Sequence, residues 1–168
     1  MQLVFIDEAY TDFLRATDFR VSFNRDKDYK RPYVGVVFQL KDHIYFAPLT
    51  SSNKGKKLKD APKKENPTFF PLADCELGGI NVNNMIPVVE GVYHKIDFTI
   101  TDADTKYDRA CKMLLINQKR FIDKHEKDIR NKALILYNLK TQKKLYENYD
   151  KITCDFLKLE KVAGKFKK

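Results

Sequence analysis

Two apolar runs separated by only two polar residues set the strongest limit on this fold: Tyr33-Val34-Gly35-Val36-Val37-Phe38-Gln39-Leu40, then Lys41-Asp42, then residues 43–49. Runs rich in β-branched and aromatic residues, each of strand length and broken by a short polar turn, form a hairpin. Pro48 has no backbone N–H and is expected to end regular pairing. Beyond it stand Thr50, Ser51, Ser52 and Asn53, then residues 54–64, where six lysines (54, 56, 57, 59, 63 and 64) face one acid, Asp60. An apolar strand that runs into hydroxyls, an amide and a lysine-rich loop offers its polar groups to an anion. A solvated surface loop is the plainer alternative.

The rest of the chain builds one domain around that hairpin. At 168 residues it can bury a core without disulfide or metal staples. Asp7 stands at an N-cap position before a helix over 8–16, and residues 18–32 read as a polar loop. Residues 69–72, 79–82 and 85–89 read as short strands, and 92–100 as a further apolar element. From residue 104 the period becomes helical, with Tyr107, Ala110, Cys111, Leu114, Leu115, Gln118, Phe121 and Ile122 on one stripe, where Cys111 reads as core. A second helix over 125–139 and a last strand over 152–159 complete an α+β domain of residues 1–163, a mostly antiparallel sheet of about six strands with helices packed on it. Residues 164–168 are expected to form a disordered basic tail.

Charge narrows the partner. The formal net charge is +9, and it collects in residues 54–64 and in residues 140–168, where nine lysines meet four acids. Two basic segments on one small domain are an electrostatic footprint for a polyanion. Neither carries a strong apolar helical face, which favours nucleic acid over a membrane surface. No long apolar run occurs, and Asp7 and Glu8 stand where a signal peptide needs an apolar core, so a cytoplasmic location is expected. Cys75, Cys111 and Cys154 are odd in number and share no ligand spacing with His43, His94 or His125. No metal or other cofactor is expected.

Four motifs in order then resemble the ToxN/AbiQ endoribonuclease toxins of type III toxin–antitoxin systems, in which the antitoxin is a structured RNA. They are Arg31-Pro32-Tyr33-Val34-Gly35-Val36, Tyr45-Phe46-Ala47-Pro48-Leu49-Thr50-Ser51, Gly79-Ile80-Asn81-Val82-Asn83-Asn84-Met85-Ile86-Pro87, and the helix over 107–122 with Gln118. The resemblance implies a strongly twisted antiparallel sheet like that of other toxin ribonucleases. It implies metal-independent cleavage by 2′-hydroxyl attack, leaving 2′,3′-cyclic phosphate and 5′-hydroxyl ends. It also implies a pseudoknotted repeat RNA as processed antitoxin, cellular or phage mRNA as substrate, closed toxin–RNA assemblies, and a role in phage abortive infection or plasmid maintenance. Its active-site tyrosine falls on Tyr10, its hydroxyl pair on Thr50 and Ser51, and its basic residue before the first strand on Arg31. Its lysine after the hydroxyl pair lands by strict spacing on Asn53, with Lys54 one residue later.

The chemistry of the residues agrees with those roles. Arg31 has no neutral form at pH 7, so it clamps a phosphate and is not a base. Thr50 and Ser51 hold a nonbridging oxygen. Lys54 can transfer a proton if Lys56 and Lys57 lower its pKa. Lys30, Asn53, Lys56, Lys57 and Lys59 are candidate RNA contacts, and His43, on the strand face of Tyr45, is a secondary candidate base lining the cleft. Tyr29, Tyr33 and Tyr45 are candidates to stack unpaired bases, and Lys140, Lys143, Lys144, Lys151 and Lys158 to grip an RNA. Two alternatives stay open: a non-catalytic RNA-binding module, in which Tyr10, Thr50, Ser51 and Lys54 do not converge, and a toxin-like domain that pairs with a protein antitoxin through its apolar surface.

Overall fold

The computed structural model describes residues 1–26, 29–40, 43–51 and 66–167, with backbone alone at 25, 26, 29, 36–38 and 40. The expected hairpin is its centre. Strands β4 (Tyr33–Leu40) and β5 (His43–Thr50) pair antiparallel, with a bulge where Val34 faces Ala47 and Phe38 faces Tyr45. On its other side β5 has two neighbours in turn. Residues 44–46 pair with β8 (Ile86–Val88), and Leu49 and Thr50 pair with β7 (Gly79–Asn81). Pro48 therefore does not end the strand. Leu49 donates its N–H to Pro32 O on the β4 side. Because strand N–H groups alternate sides, the N–H that Pro48 lacks would have pointed into the gap between β8 and β7.

Among the described residues the sheet has seven strands, all of whose pairings are antiparallel, in the order β6 (Phe69–Pro71), β7, β5, β4, β1 (Gln2–Ile6), β9 (Tyr93–Lys95), with β8 on β5. β1 was not anticipated; it lies between β4 and the edge strand β9. Within residues 18–32 a two-residue ladder joins β2 (Arg25–Asp26) to β3 (Tyr29–Lys30). The helices are α1 (Glu8–Thr17), α2 (Lys106–Lys124), α3 (Glu126–Thr141), α4 (Glu147–Ile152) and α5 (Phe156–Ala163). Helix α2 opens on a capping box formed by Thr105 and Asp108. Among the described residues no helix is long and apolar enough to cross a membrane.

One expectation about the C-terminal third is corrected. Residues 152–159 form no strand: Asp155 accepts the Lys158 N–H at 3.1 Å and starts α5, whose Phe156, Leu159 and Ala163 are buried. Beyond Gly164 the Phe166 ring packs on Tyr10 at 5.2 Å and on Phe13 at 5.4 Å. Helices α3 and α5 cover the sheet through an aromatic cluster. Tyr45 of β5 meets Tyr137 at 5.7 Å and Phe156 at 5.9 Å, and both tyrosines donate to Glu160, at 2.6 and 2.8 Å. Burial, aided by the Glu160 carboxylate, holds the Tyr45 and Tyr137 phenols protonated far above their usual range.

Asp18 ties α1 to α5. Its buried carboxylate accepts the Asp155 N–H at 2.7 Å, the Arg20 N–H at 3.0 Å and two Arg20 guanidinium bonds at 2.8 and 3.0 Å. Burial alone would push this carboxyl up, but the bonds from Arg20 and Asp155 together hold it below its ordinary value.

A depressed carboxylate stabilises the fold above its unfolded pKa near 4, and that contribution is lost as pH falls through the folded value. Asp18→Asn is expected to cost on the order of 2 kcal/mol at pH 7, and the gap to the unmodified protein should narrow as urea titrations move from pH 7 towards pH 3. Gly78 has φ +85, and a Cβ there would lie 2.1 Å from Thr50 O. Gly78→Ala should cost at least about 2 kcal/mol in the same titrations, from the left-handed backbone and the clash with the strand.

Candidate active site

The end of β5 is held from behind. Thr50 faces Gly79 in the ladder, and Gly78 closes on the Thr50 carbonyl with no room for a side chain. The turn that brings Gly78 there runs through Ala73, Asp74 and Cys75, all at positive φ (47, 50 and 71), and Leu72 N–H closes it on Gly78 O at 3.0 Å. Leu72 and Cys75 are fully buried, so core packing keeps a backbone that L-residues disfavour. Thr50 is thereby fixed in the sheet while Ser51 is exposed.

Arg31 enters from the segment between β3 and β4. Its Nε donates to Phe23 O at 2.9 Å and its Nη1 to Leu49 O at 3.3 Å, which aims the guanidinium along the strand end. Opposite stands α2, whose Tyr107, Cys111, Leu114, Leu115 and Gln118 share one face at helical spacing. Gln118 Nε2 donates to Leu77 O at 2.7 Å, so helix α2 is bound to the residue next to Gly78.

These walls, with Phe5, Lys30, Pro32 and Leu49, enclose a cleft of about 380 Å³. One wall is polar and cationic, the other apolar. Among the described residues its lining holds Lys30 and Arg31 and no carboxylate. Two of its atoms are unsatisfied: Thr50 Oγ1 and Gln118 Oε1 are buried and have no hydrogen-bond partner among the described residues, on side chains only 5% and 4% exposed. The Leu77 carbonyl can only accept, which places Nε2 on it and leaves Oε1 as the free acceptor. Buried polar groups without partners in a cationic cleft suit a polar, anionic ligand.

Of the expected site residues, the structure brings together Lys30, Arg31, Thr50 and Ser51. Asn53, Lys54, Lys56, Lys57 and Lys59 lie outside the described residues. Tyr10 is elsewhere: it is fully buried beneath Phe166, its hydroxyl donates to Pro87 O at 2.8 Å, and burial raises its pKa far above the usual range. Its position is that of a core tyrosine. His43 opens the strand that Thr50 ends, which at about 3.3 Å per residue separates them by roughly 23 Å, too far to line the cleft. Tyr33 and Tyr45 are fully buried and cannot stack on bases; the Tyr29 side chain is outside the described residues. Cys111 is half-exposed on the cleft wall rather than core.

Gln118 carried no role of its own in the sequence. Its signal was an amide amid the apolar stripe of α2, a position that burial makes costly without a partner. The basic C-terminal residues line other grooves. Lys140, Lys143 and Lys158 border one of about 720 Å³ between α3 and α5, and Lys144 one of about 660 Å³ beside Tyr146 and Tyr149. Lys140 is paired with Asp150 at 2.8 Å and Lys151 with Glu147 at 2.7 Å. Both grooves exceed the cleft in size, yet neither joins hydroxyls, cations and unsatisfied buried oxygens.

Comparison with known proteins places this arrangement. The family model of the ToxN toxin of type III toxin–antitoxin systems matches residues 2–164. The chain is 34% identical to the endoribonuclease ToxN of Bacillus thuringiensis subsp. kurstaki over 96% of its length and 82% of the relative's. It is 30% identical to the endoribonuclease AbiQ of Lactococcus lactis subsp. lactis over 97% of its length and 87% of the relative's. Among solved structures, one described as showing a processed non-coding RNA that regulates a bacterial antiviral system superposes with a TM-score of 0.82, at 28% identity and full coverage of both chains. Another, described as showing selective toxin inhibition by a non-coding RNA pseudoknot, has a TM-score of 0.75 at 31% identity, covering 98% of this chain and 96% of that one. With the match running through nearly every strand and helix described above, this chain belongs to the ToxN family of type III toxin–antitoxin toxins.

Proposed function

We propose that the protein is an endoribonuclease toxin held in check by a pseudoknotted RNA antitoxin, and that the Arg31–Thr50–Ser51 cleft is where it cuts RNA. One observation carries the reading: a cationic cleft, with no carboxylate among the described residues that line it, brings Arg31, Thr50, Ser51 and Gln118 together, and Thr50 Oγ1 and Gln118 Oε1 are buried with no partner among the described residues. Phosphate oxygens satisfy the Thr50 and Ser51 hydroxyls, and a ribose hydroxyl or a base amino group satisfies Gln118 Oε1. The apolar face of α2 receives the ribose or base.

The reaction needs little from the protein beyond position and charge. The ribose 2′-oxygen attacks the adjacent phosphorus while the bond to the 5′-oxygen breaks, giving a 2′,3′-cyclic phosphate and a 5′-hydroxyl. Arg31 and the two hydroxyls stabilise the charge that builds on the nonbridging oxygens. The 2′-hydroxyl proton goes to a base, and the leaving oxygen takes one up. Tyr10 and His43 lie away from the cleft, so we assign proton transfer to Lys54, three positions after Ser51 in a lysine-rich run. The same cleft, filled by antitoxin RNA, is blocked to other transcripts, and the grooves lined by Lys143, Lys144 and Lys158 give that RNA further phosphate contacts. Phage abortive infection or plasmid maintenance is the setting in which such a pair acts, with the closed toxin–RNA assembly as its resting form in the cytoplasm.

Single-stranded RNA incubated with the protein in EDTA should yield fragments ending in 2′,3′-cyclic phosphate. Thr50→Val and Ser51→Ala should each lower the single-turnover rate by about 10²–10³-fold while RNA affinity changes only a few-fold. Tight binding of RNA that stays intact with the unmodified protein would instead establish a binding module.

A further inference from the structure

We propose that Phe19 and Phe23, on the loop that follows α1, form a stacking ledge for unpaired RNA bases on the strand leaving the cleft; this rests on the reading above that the cleft takes RNA. The segment reads as a polar loop in the sequence, yet it exposes two of the largest apolar side chains, Phe19 at 78% and Phe23 at 62%. Each has an arginine at its ring. The Arg15 guanidinium lies 3.4 Å from the centroid of the Phe23 ring, and that of Arg20 lies 5.8 Å from the Phe19 ring.

Both arginines are fixed by other bonds. Arg15 Nη1 donates to Phe19 O at 3.2 Å and to Val21 O. Arg20 is held by its two bonds to Asp18, which in turn is anchored on the N-terminus of α5. The ledge is thus preorganised: neither ring must order its arginine when a ligand arrives. It also adjoins the cleft through shared bonds, since Arg31 donates its backbone N–H to Asn24 O at 2.7 Å and its Nε to Phe23 O. A strand whose phosphate sits at Arg31 meets Phe23 next.

Charge decides the occupant. An apolar protein partner would have to desolvate guanidinium groups that lie at the rings. Unpaired RNA uses both features at once, with base faces on the phenyl rings and phosphates beside Arg15, Lys30 and Arg31. The ledge supplies affinity without sequence readout, because every base has a face to stack.

The test is fluorescence anisotropy with an end-labelled, unstructured RNA of mixed sequence, longer than the roughly 4–16 nucleotides of a single-strand site and 2′-O-methylated so that it cannot be cut. RNA-free protein with Phe19→Ala and Phe23→Ala together should bind about 10–100-fold more weakly than the unmodified protein, with the same slope of log Kd on log salt, since no phosphate contact is lost. Phe19→Trp with Phe23→Trp should keep the affinity. Equal binding by the double Ala variant overturns the ledge, and so does a loss that Trp also suffers. Cleavage of unmethylated RNA is followed in parallel: its absence with ledge-dependent binding intact removes the ribonuclease reading alone and leaves the ledge supported.

Discussion

Strand β5 changes partners halfway along, and the position of the cleft depends on that change. Its first half is paired by β8, its last two residues by β7, and β4 lies along the opposite side as far as Pro48. A strand with one partner could end after the apolar run; this one is carried two residues further, so that Thr50 is a ladder residue and Ser51 the first free one. Pro48 suits the changeover because the donor it lacks faces the side where no strand is in register. The price is paid in the β6–β7 connection, where three non-glycine residues accept left-handed backbone so that Gly78 can reach Thr50.

The two walls of the cleft solve different problems. The sheet wall places hydroxyls and a guanidinium by main-chain bonds, which leaves little freedom in where they point: Arg31 is oriented by the carbonyls of Phe23 and Leu49 rather than by a carboxylate. The helix wall supplies apolar surface and, in Gln118, a buried amide that bonds to the protein with its nitrogen and leaves its oxygen without a partner among the described residues.

Much of this was legible in the sequence where periodicity or spacing was long enough to register. The hairpin, α2 and α3 were each carried by many residues of one period, and the adjacency of Thr50 and Ser51 to a strand end followed from the hairpin. Short elements misled. β1 is five residues long and shows little alternation, and its place between β4 and β9 comes from pairings distant in sequence. Residues 152–159 are rich in β-branched and aromatic types and so imitate a strand, while the one contrary sign was Asp155 in position to cap a helix. Tyr10 and His43 were placed by spacing on the right elements, but which way each element faces is fixed by tertiary packing: α1 turns Tyr10 to Phe166 and Pro87, and β5 puts His43 at its far end.

Of the 19 residues of α2, only Gln118 and Ile122 are buried, whereas β5 is buried from Tyr45 to Thr50 and paired on both sides. The two walls consequently belong to different classes of local stability. Amides of α2 are accordingly expected to exchange with solvent sooner than those of β5. The helix side of the cleft is the one built to yield to the shape of a ligand, while the strand end that carries Thr50 keeps its position.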